Sequence, residues 1–124
     1  MIQIDFINKP KECIPEYFIN KHGYKHLYDQ NGKYHSYNDL PAIITVAGAK
    51  HWYKHGEKHR DNDLPACVYP DGTKYWYFDG YLHRNNGLPA VITLNGKKEY
   101  WFYGRKQNKF LALSKKYIYI AEYD

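Results

Sequence analysis

The sequence predicts an all-β protein: a single-layer antiparallel β-meander of 24-residue hairpin repeats, with a short N-terminal helix/strand cap and a C-terminal capping segment. Three observations carry the prediction. Leu-Pro-Ala stands at Leu40-Pro41-Ala42, Leu64-Pro65-Ala66 and Leu88-Pro89-Ala90. Glycine recurs at the same interval in two series, Gly32, Gly56, Gly80, Gly104 and Gly48, Gly72, Gly96. His35, His59 and His83, Asn38, Asn62 and Asn86, and the aromatics Tyr28, Trp52, Trp76 and Tyr100 keep the same step.

At 124 residues the chain reads as one domain, 1–124, divided into an amino-terminal cap (1–23), the repeats (24–107) and a carboxy-terminal cap strand (108–124). Aromatic residues make up 19%, fifteen of them tyrosine, which is too rich for a disordered segment. Tyrosine suits half-buried positions, where its ring packs and its hydroxyl reaches water or a partner. The net charge of +5 comes from scattered lysines and reads as a solvated surface rather than a nucleic-acid track. Cys13 and Cys67 lack metal spacing. With neither a signal-peptide pattern nor an apolar run near the ~20 residues of a membrane span, a cytoplasmic location with reduced thiols is expected.

Taken in order, Ile2, Ile4 and Phe6 alternate with polar residues and predict an edge strand. Pro15, Glu16 and Gly23 then fit the first turn, amino end and C′ position of a short helix carrying Tyr17, Phe18 and Ile19. Its expected role is to cover the open end of the sheet.

In each repeat an apolar run follows the proline, as in Ala42-Ile43-Ile44-Thr45-Val46 and Ala90-Val91-Ile92-Thr93-Leu94. These runs end at Ala47-Gly48, Asp71-Gly72 and Asn95-Gly96, the last two being signals for type I′ turns with positive φ at both positions. A second run carries the aromatics and ends at Gly56, Gly80 or Gly104. Tight connections make sequence neighbours spatial neighbours, so the meander grows by two strands per repeat. Equivalent residues then lie ~10 Å apart. Alternation across the strand places Tyr28, Trp52, Trp76 and Tyr100 in one column, expected to be core, and Tyr53, Tyr77 and Trp101 in a second column on the opposite face.

The residues Trp52, Gly56, His59, Arg60, Leu64-Pro65-Ala66 and Gly72, and again Trp76, Gly80, His83, Arg84, Leu88-Pro89-Ala90 and Gly96, resemble the MORN repeat. The likeness is to a variant with His-Arg and a Gly-Pro-Ala-like bend, and it runs from Tyr28 to Gly104. Ser36 stands where the other units have arginine, and Gln107 where histidine is expected; both lie in end units. The resemblance implies a hairpin array acting as a binding scaffold, associated with protein partners and less securely with lipid headgroups, and no catalytic residue. Repeats of this variant are frequent in phage and large-virus proteins. An inhibitor of a host defence factor, working in the host cytoplasm, is therefore expected by analogy.

The carboxy-terminal run Tyr117-Ile118-Tyr119-Ile120-Ala121 predicts a last strand on the open edge. The alternative is edge pairing with a second copy, a homo-oligomer.

No catalytic constellation stands out. His51, His55 and His59 would align only on a helix, and His35, His59 and His83 lie too far apart to share one zinc. They are expected to pack beside the aromatic column or to bond the bend. Asp39 and Asp63 read as turn residues. No enzyme, cofactor or metal is expected. The remaining candidate is a partner-binding stripe of Tyr53, Tyr77 and Trp101 near Arg60 and Arg84, residue types that dominate interface hot spots. Phe78 and Phe102 join it as positions that vary within the register. A protein partner is expected, the alternative being a nucleic acid or nucleotide stacked on the aromatics.

Overall fold

Each Leu-Pro-Ala delivers an alanine with no exposed surface into the sheet. Ala42, Ala66 and Ala90 donate their N–H to the carbonyls of His51, Tyr75 and Glu99, each at 2.8 Å. Their own carbonyls accept from Leu27, Trp52 and Trp76 at 2.7–2.8 Å. The proline, which cannot donate, sits just ahead of the ladder, as a strand start requires.

The computed structural model describes residues 15–113. In chain order its strands are β1 (Phe18–Ile19), β2 (Lys25–His26), β3 (Ile43–Ile44), β4 (Lys50–His51), β5 (Tyr53–Lys54), β6 (Glu57–Lys58) and β7 (Cys67–Val68). They continue as β8 (Lys74–Tyr75), β9 (Tyr77–Phe78), β10 (Tyr81–Leu82), β11 (Val91–Ile92), β12 (Lys98–Phe102) and β13 (Arg105–Gln107). Nine form one antiparallel sheet in the order β1-β2-β3-β4-β7-β8-β11-β12-β13. All-β and meander are therefore correct.

In two of the repeats the end of the second run leaves that sheet. The pairs β5–β6 and β9–β10 are separate two-stranded ladders. The exchange happens at the tryptophan: Trp52 donates to Ala66 of the next repeat, while its carbonyl accepts from His59 of its own. The side hairpins are linked in turn. Gly56, Gly80 and Gly104 donate to the carbonyls of Tyr34, Lys58 and Leu82 at 2.7–2.9 Å. In the last repeat β12 runs unbroken from sheet into hairpin.

Four expectations need correction. First, the segment after Pro15 is a hairpin rather than a helix: Phe18 and Ile19 pair with His26 and Lys25. The Asn20 carboxamide accepts from His22 and Tyr24, and Gly23, at φ 83°, turns the chain. The open sheet edge offers a ladder that a one- to two-turn helix cannot match. Second, Asp71-Gly72 and Asn95-Gly96 are not type I′ turns, since only the glycine has positive φ. Tyr69 and Thr93 accept from Gly72 and Gly96, giving a turn followed by a left-handed glycine. Type I′ geometry occurs instead at His55-Gly56, Asp79-Gly80 and Tyr103-Gly104.

Third, Tyr28 does not belong to the tryptophan column. Leu27, 1% exposed, makes the bonds to Ala42 and His35 that Trp52 makes to Ala66 and His59. Tyr28 pairs with Tyr34 as Tyr53 pairs with Lys58 and Tyr77 with Leu82. The first unit carries one extra residue in its Asp29–Gly32 turn. Fourth, residues 109–113 of the carboxy-terminal cap are helical, with the Asn108 side chain accepting from Leu111. The strands expected at Ile2–Phe6 and Tyr117–Ala121 lie outside the described residues, as does Cys13.

Candidate interaction surfaces

Trp52 and Trp76 are buried, and each is the centre of a repeated unit. Their indole Nε1 groups donate to the carbonyls of Asp39 (2.9 Å) and Asp63 (3.0 Å). Arg60 lies 3.7 Å over the Trp52 ring and Arg84 4.0 Å over Trp76. Arg60 grips Asp39 through Nε and Nη2, and donates Nη1 to the Pro65 carbonyl. Arg84 does the same with Asp63 and Pro89. Planar guanidinium suits this combined fork and stack; lysine would not. Asp39 and Asp63 are thus ion-pair partners as well as turn residues. Both arginines belong to the tryptophan column, not to the tyrosine stripe, and each makes three hydrogen bonds within the fold.

The ends of the array depart from this unit in matched ways. Ser36 occupies the arginine position of the first repeat, and the Tyr17 hydroxyl bonds Pro41 in its place at 2.8 Å. At the far end Asn108 follows Arg84 by one repeat, and the aspartate position holds Gly87. A Cβ on Gly87 would meet the Ala112 carbonyl oxygen at 3.1 Å, so the 109–113 helix packs where an aspartate would stand.

Tyr53, Tyr77 and Trp101 are half-buried. Tyr53 packs 5.2 Å from Tyr34, Tyr77 stacks on Tyr75 at 6.5 Å with Lys58 over its ring, and Trp101 donates to Glu99. Tyr75 meets Tyr69, which meets His51, and the His51 ring contacts the buried Cys67 thiol at 3.2 Å. Burial raises the pKa of Tyr53 and Tyr77, lowers that of His51 and pushes the Cys67 thiol up to about 11. Tyr53 and Tyr77 thus each belong to an aromatic cluster, one with Tyr34 and the other with Tyr75 and Tyr69, and are partly covered by it.

The histidines have a backbone task. His35, His59 and His83 accept at Nδ1 the amide N–H of His55, Asp79 and Tyr103, each at 3.0 Å. Nε2–H of His59 and His83 is then directed to Asp61 (2.7 Å) and Asn85 (2.8 Å). Each histidine fixes the first residue of the next type I′ turn. Among the described residues no group of three His, Cys, Asp or Glu could hold a metal ion.

The exposed aromatic surface lies elsewhere. Phe78 (39% exposed), Tyr81 (55%) and Tyr103 (48%) cluster with half-buried Phe102: Tyr103 is 6.4 Å from Phe78, 6.5 Å from Tyr81 and 4.9 Å from Phe102. Tyr103 has φ 46°, a left-handed conformation unusual for a bulky residue, at the turn position filled by His55 and Asp79 in earlier repeats. It stacks on His83 at 3.9 Å. Phe78 also lines one of two repeat-equivalent clefts of about 240 Å³, one holding Phe78 and Asn85, the other Lys54 and Asp61. Of the sequence-predicted residues, the structure brings Phe78 and Phe102 together here. Tyr81 and Tyr103 were missed; their signal was a large aromatic at two turn-flanking positions where the preceding repeat has Glu57 and Asp79.

No protein-family profile, curated protein or solved structure matches this chain. Among the described residues no helix is long and apolar enough to cross a membrane.

Proposed function

We propose that this chain is a non-enzymatic binding protein whose MORN-like β-repeat scaffold presents an aromatic patch to a protein partner. The observation that carries the reading is the cluster of Phe78, Tyr81, Phe102 and Tyr103. It is exposed, built across two successive side hairpins, and absent from the repeat that holds Lys54 and Glu57 at the equivalent positions. Aromatic anchors of this kind dominate interface energetics, and they are held here on a hydrogen-bonded ladder rather than on a floppy loop. Tyr103 supports the reading further, since a left-handed bulky residue is kept where asparagine or aspartate would relieve strain. By analogy with the phage and large-virus proteins in which this repeat variant is frequent, the partner is a host factor that the protein inhibits.

The nucleic-acid alternative has less support, because Arg60 and Arg84, the cations expected beside stacked bases, are held by Asp39 and Asp63. A photo-crosslinking phenylalanine analogue at position 81, and separately at position 69, tests the proposal in the cells that make the protein. Capture of one discrete protein from position 81 and not from 69 supports it. Equal capture from both, or nucleic acid in the crosslinked product, sinks it.

A further inference from the structure

One repeated side chain has no polar or ring partner among the described residues. Lys25, Lys50, Lys74 and Lys98 occupy equivalent positions in successive units and are all exposed. Strand register places them on one line across the sheet: Lys25 pairs with Ile44, Ile44 with Lys50, Lys50 with Val68, Val68 with Lys74, Lys74 with Ile92, and Ile92 with Lys98. Directly paired residues project from the same face, so the row alternates lysine with Ile44, Val68 and Ile92. Lysines two strands apart stand ~10 Å from one another.

Among the described residues none of the four ammonium groups has a hydrogen bond, ion pair or ring contact. Three of the other strictly repeated residues have clear partners: alanine in the ladder, histidine on an amide, tryptophan on a carbonyl. Lysine is disfavoured in strands, and edge protection does not explain it on the interior strands β4 and β8. Aligned like charges at about the Debye length repel weakly, so the row carries a small cost with no internal return.

We infer that this row is a docking line for an acidic amphipathic helix of a protein partner, laid across the strands. The spacing matches: carboxylates at every seventh residue of a helix recur every ~10.5 Å along one stripe. The chemistry matches as well. The residues between the lysines are β-branched and half-buried, and exposed Val46, Pro70 and Leu94 stand at the tips of the same hairpins, two residues further along. A helix with an acidic stripe beside an apolar one satisfies both rows. A nucleic acid would use the lysines and leave the apolar residues idle, with no aromatic platform in the row. An anionic bilayer would accept both, but the row lacks the tryptophan and tyrosine that seat proteins at such interfaces. This surface shares no residue with the aromatic patch and stands or falls separately from it.

The probe is a synthetic amphipathic helical peptide with glutamate at every seventh position and leucine on the adjacent stripe, titrated into the full chain while amide resonances are followed. Shifts confined to β2, β3, β4, β7, β8, β11 and β12, with binding weakened at least about tenfold by Lys50→Glu/Lys74→Glu, support the inference. A glutamine version of the peptide should bind about tenfold more weakly too. The neutral pair Lys50→Gln/Lys74→Gln, at exposed positions, guards against a folding defect and should give an intermediate loss. No binding, or binding insensitive to both lysine pairs, overturns it. So does a duplex DNA or an anionic phospholipid vesicle that binds more tightly than the peptide and loses that binding to the same substitutions.

Discussion

Arg84 holds Asp63, one repeat back, through two parallel hydrogen bonds, Nε to Oδ1 at 3.0 Å and Nη2 to Oδ2 at 3.2 Å, while its guanidinium covers Trp76. The same clasp joins Arg60 to Asp39 over Trp52. It ties each repeat to its predecessor and roofs the buried indole. The exposed carboxylate limits the ion pair itself to about 1 kcal/mol, so stacking and exclusion of water from the indole are the larger contribution.

The indole should therefore dominate. Trp76→Ala is expected to destabilise by ~3–5 kcal/mol in urea unfolding, as a buried aromatic truncation does. Arg84→Ala should cost less, about 1–2 kcal/mol. A Trp76→Ala cost below that of Arg84→Ala would contradict this ranking.

Gly87 tests the carboxy-terminal cap. Gly32 and Gly87 share a left-handed φ (78° and 69°), but a Cβ at Gly32 meets nothing, while at Gly87 it meets the Ala112 carbonyl. Both alanine variants carry the backbone strain; Gly87→Ala should cost about 1–3 kcal/mol more. Equal costs, by thermal or urea unfolding, would mean that the 109–113 helix does not pack on this bend.

Stability should fall with acidification below pH 6.5. Burial lowers the folded-state pKa of His51 and His83. Between that lowered value and the ordinary one the unfolded chain binds more protons, so stability is complete above about 6.5 and is lost as pH falls through the window. Asp29, held down to about 2 chiefly by its hydrogen bond to His55, acts lower: its contribution persists above about 4 and fades toward pH 2. His83→Asn, which keeps a side-chain acceptor, should flatten the first fall. An unfolding midpoint flat from pH 8 to 5 would refute the histidine account.

Cys67 should be chemically silent in the folded protein. Its thiol is buried and its pKa is pushed up to about 11, so little thiolate exists at neutral pH. Alkylation at that position should follow global unfolding. Rapid native-state labelling of Cys67, located by peptide mapping, would contradict it.

The architecture was legible because its determinants are local. Pro65 and Ala66, Gly80 and Trp76 each answer to a backbone or burial requirement that recurs with the repeat. Three features were not. Tyr28 sits at the right distance from Gly32, but an extra turn residue shifts it by one, and only hydrogen bonding reveals Leu27 in its place. Phe18 and Ile19 carry helix signals weaker than an open sheet edge. Arg60 and Asp39 are 21 residues apart, so their clasp becomes visible only once repeats are stacked. Of the candidate binding residues legible in the sequence, Tyr53, Tyr77 and Trp101 are half-buried and Phe78 is exposed, and exposed Tyr103 joins it only through the stacking of repeats.

The most direct test of the binding proposal is quantitative partner recovery with Phe78→Ser/Tyr103→Asn. Both positions are exposed, and asparagine relieves the left-handed strain at position 103, so the variant should unfold at or above the wild-type urea midpoint. The account predicts that the protein crosslinked from position 81 is no longer retained by the variant. Undiminished retention on a folded Phe78→Ser/Tyr103→Asn protein would contradict it.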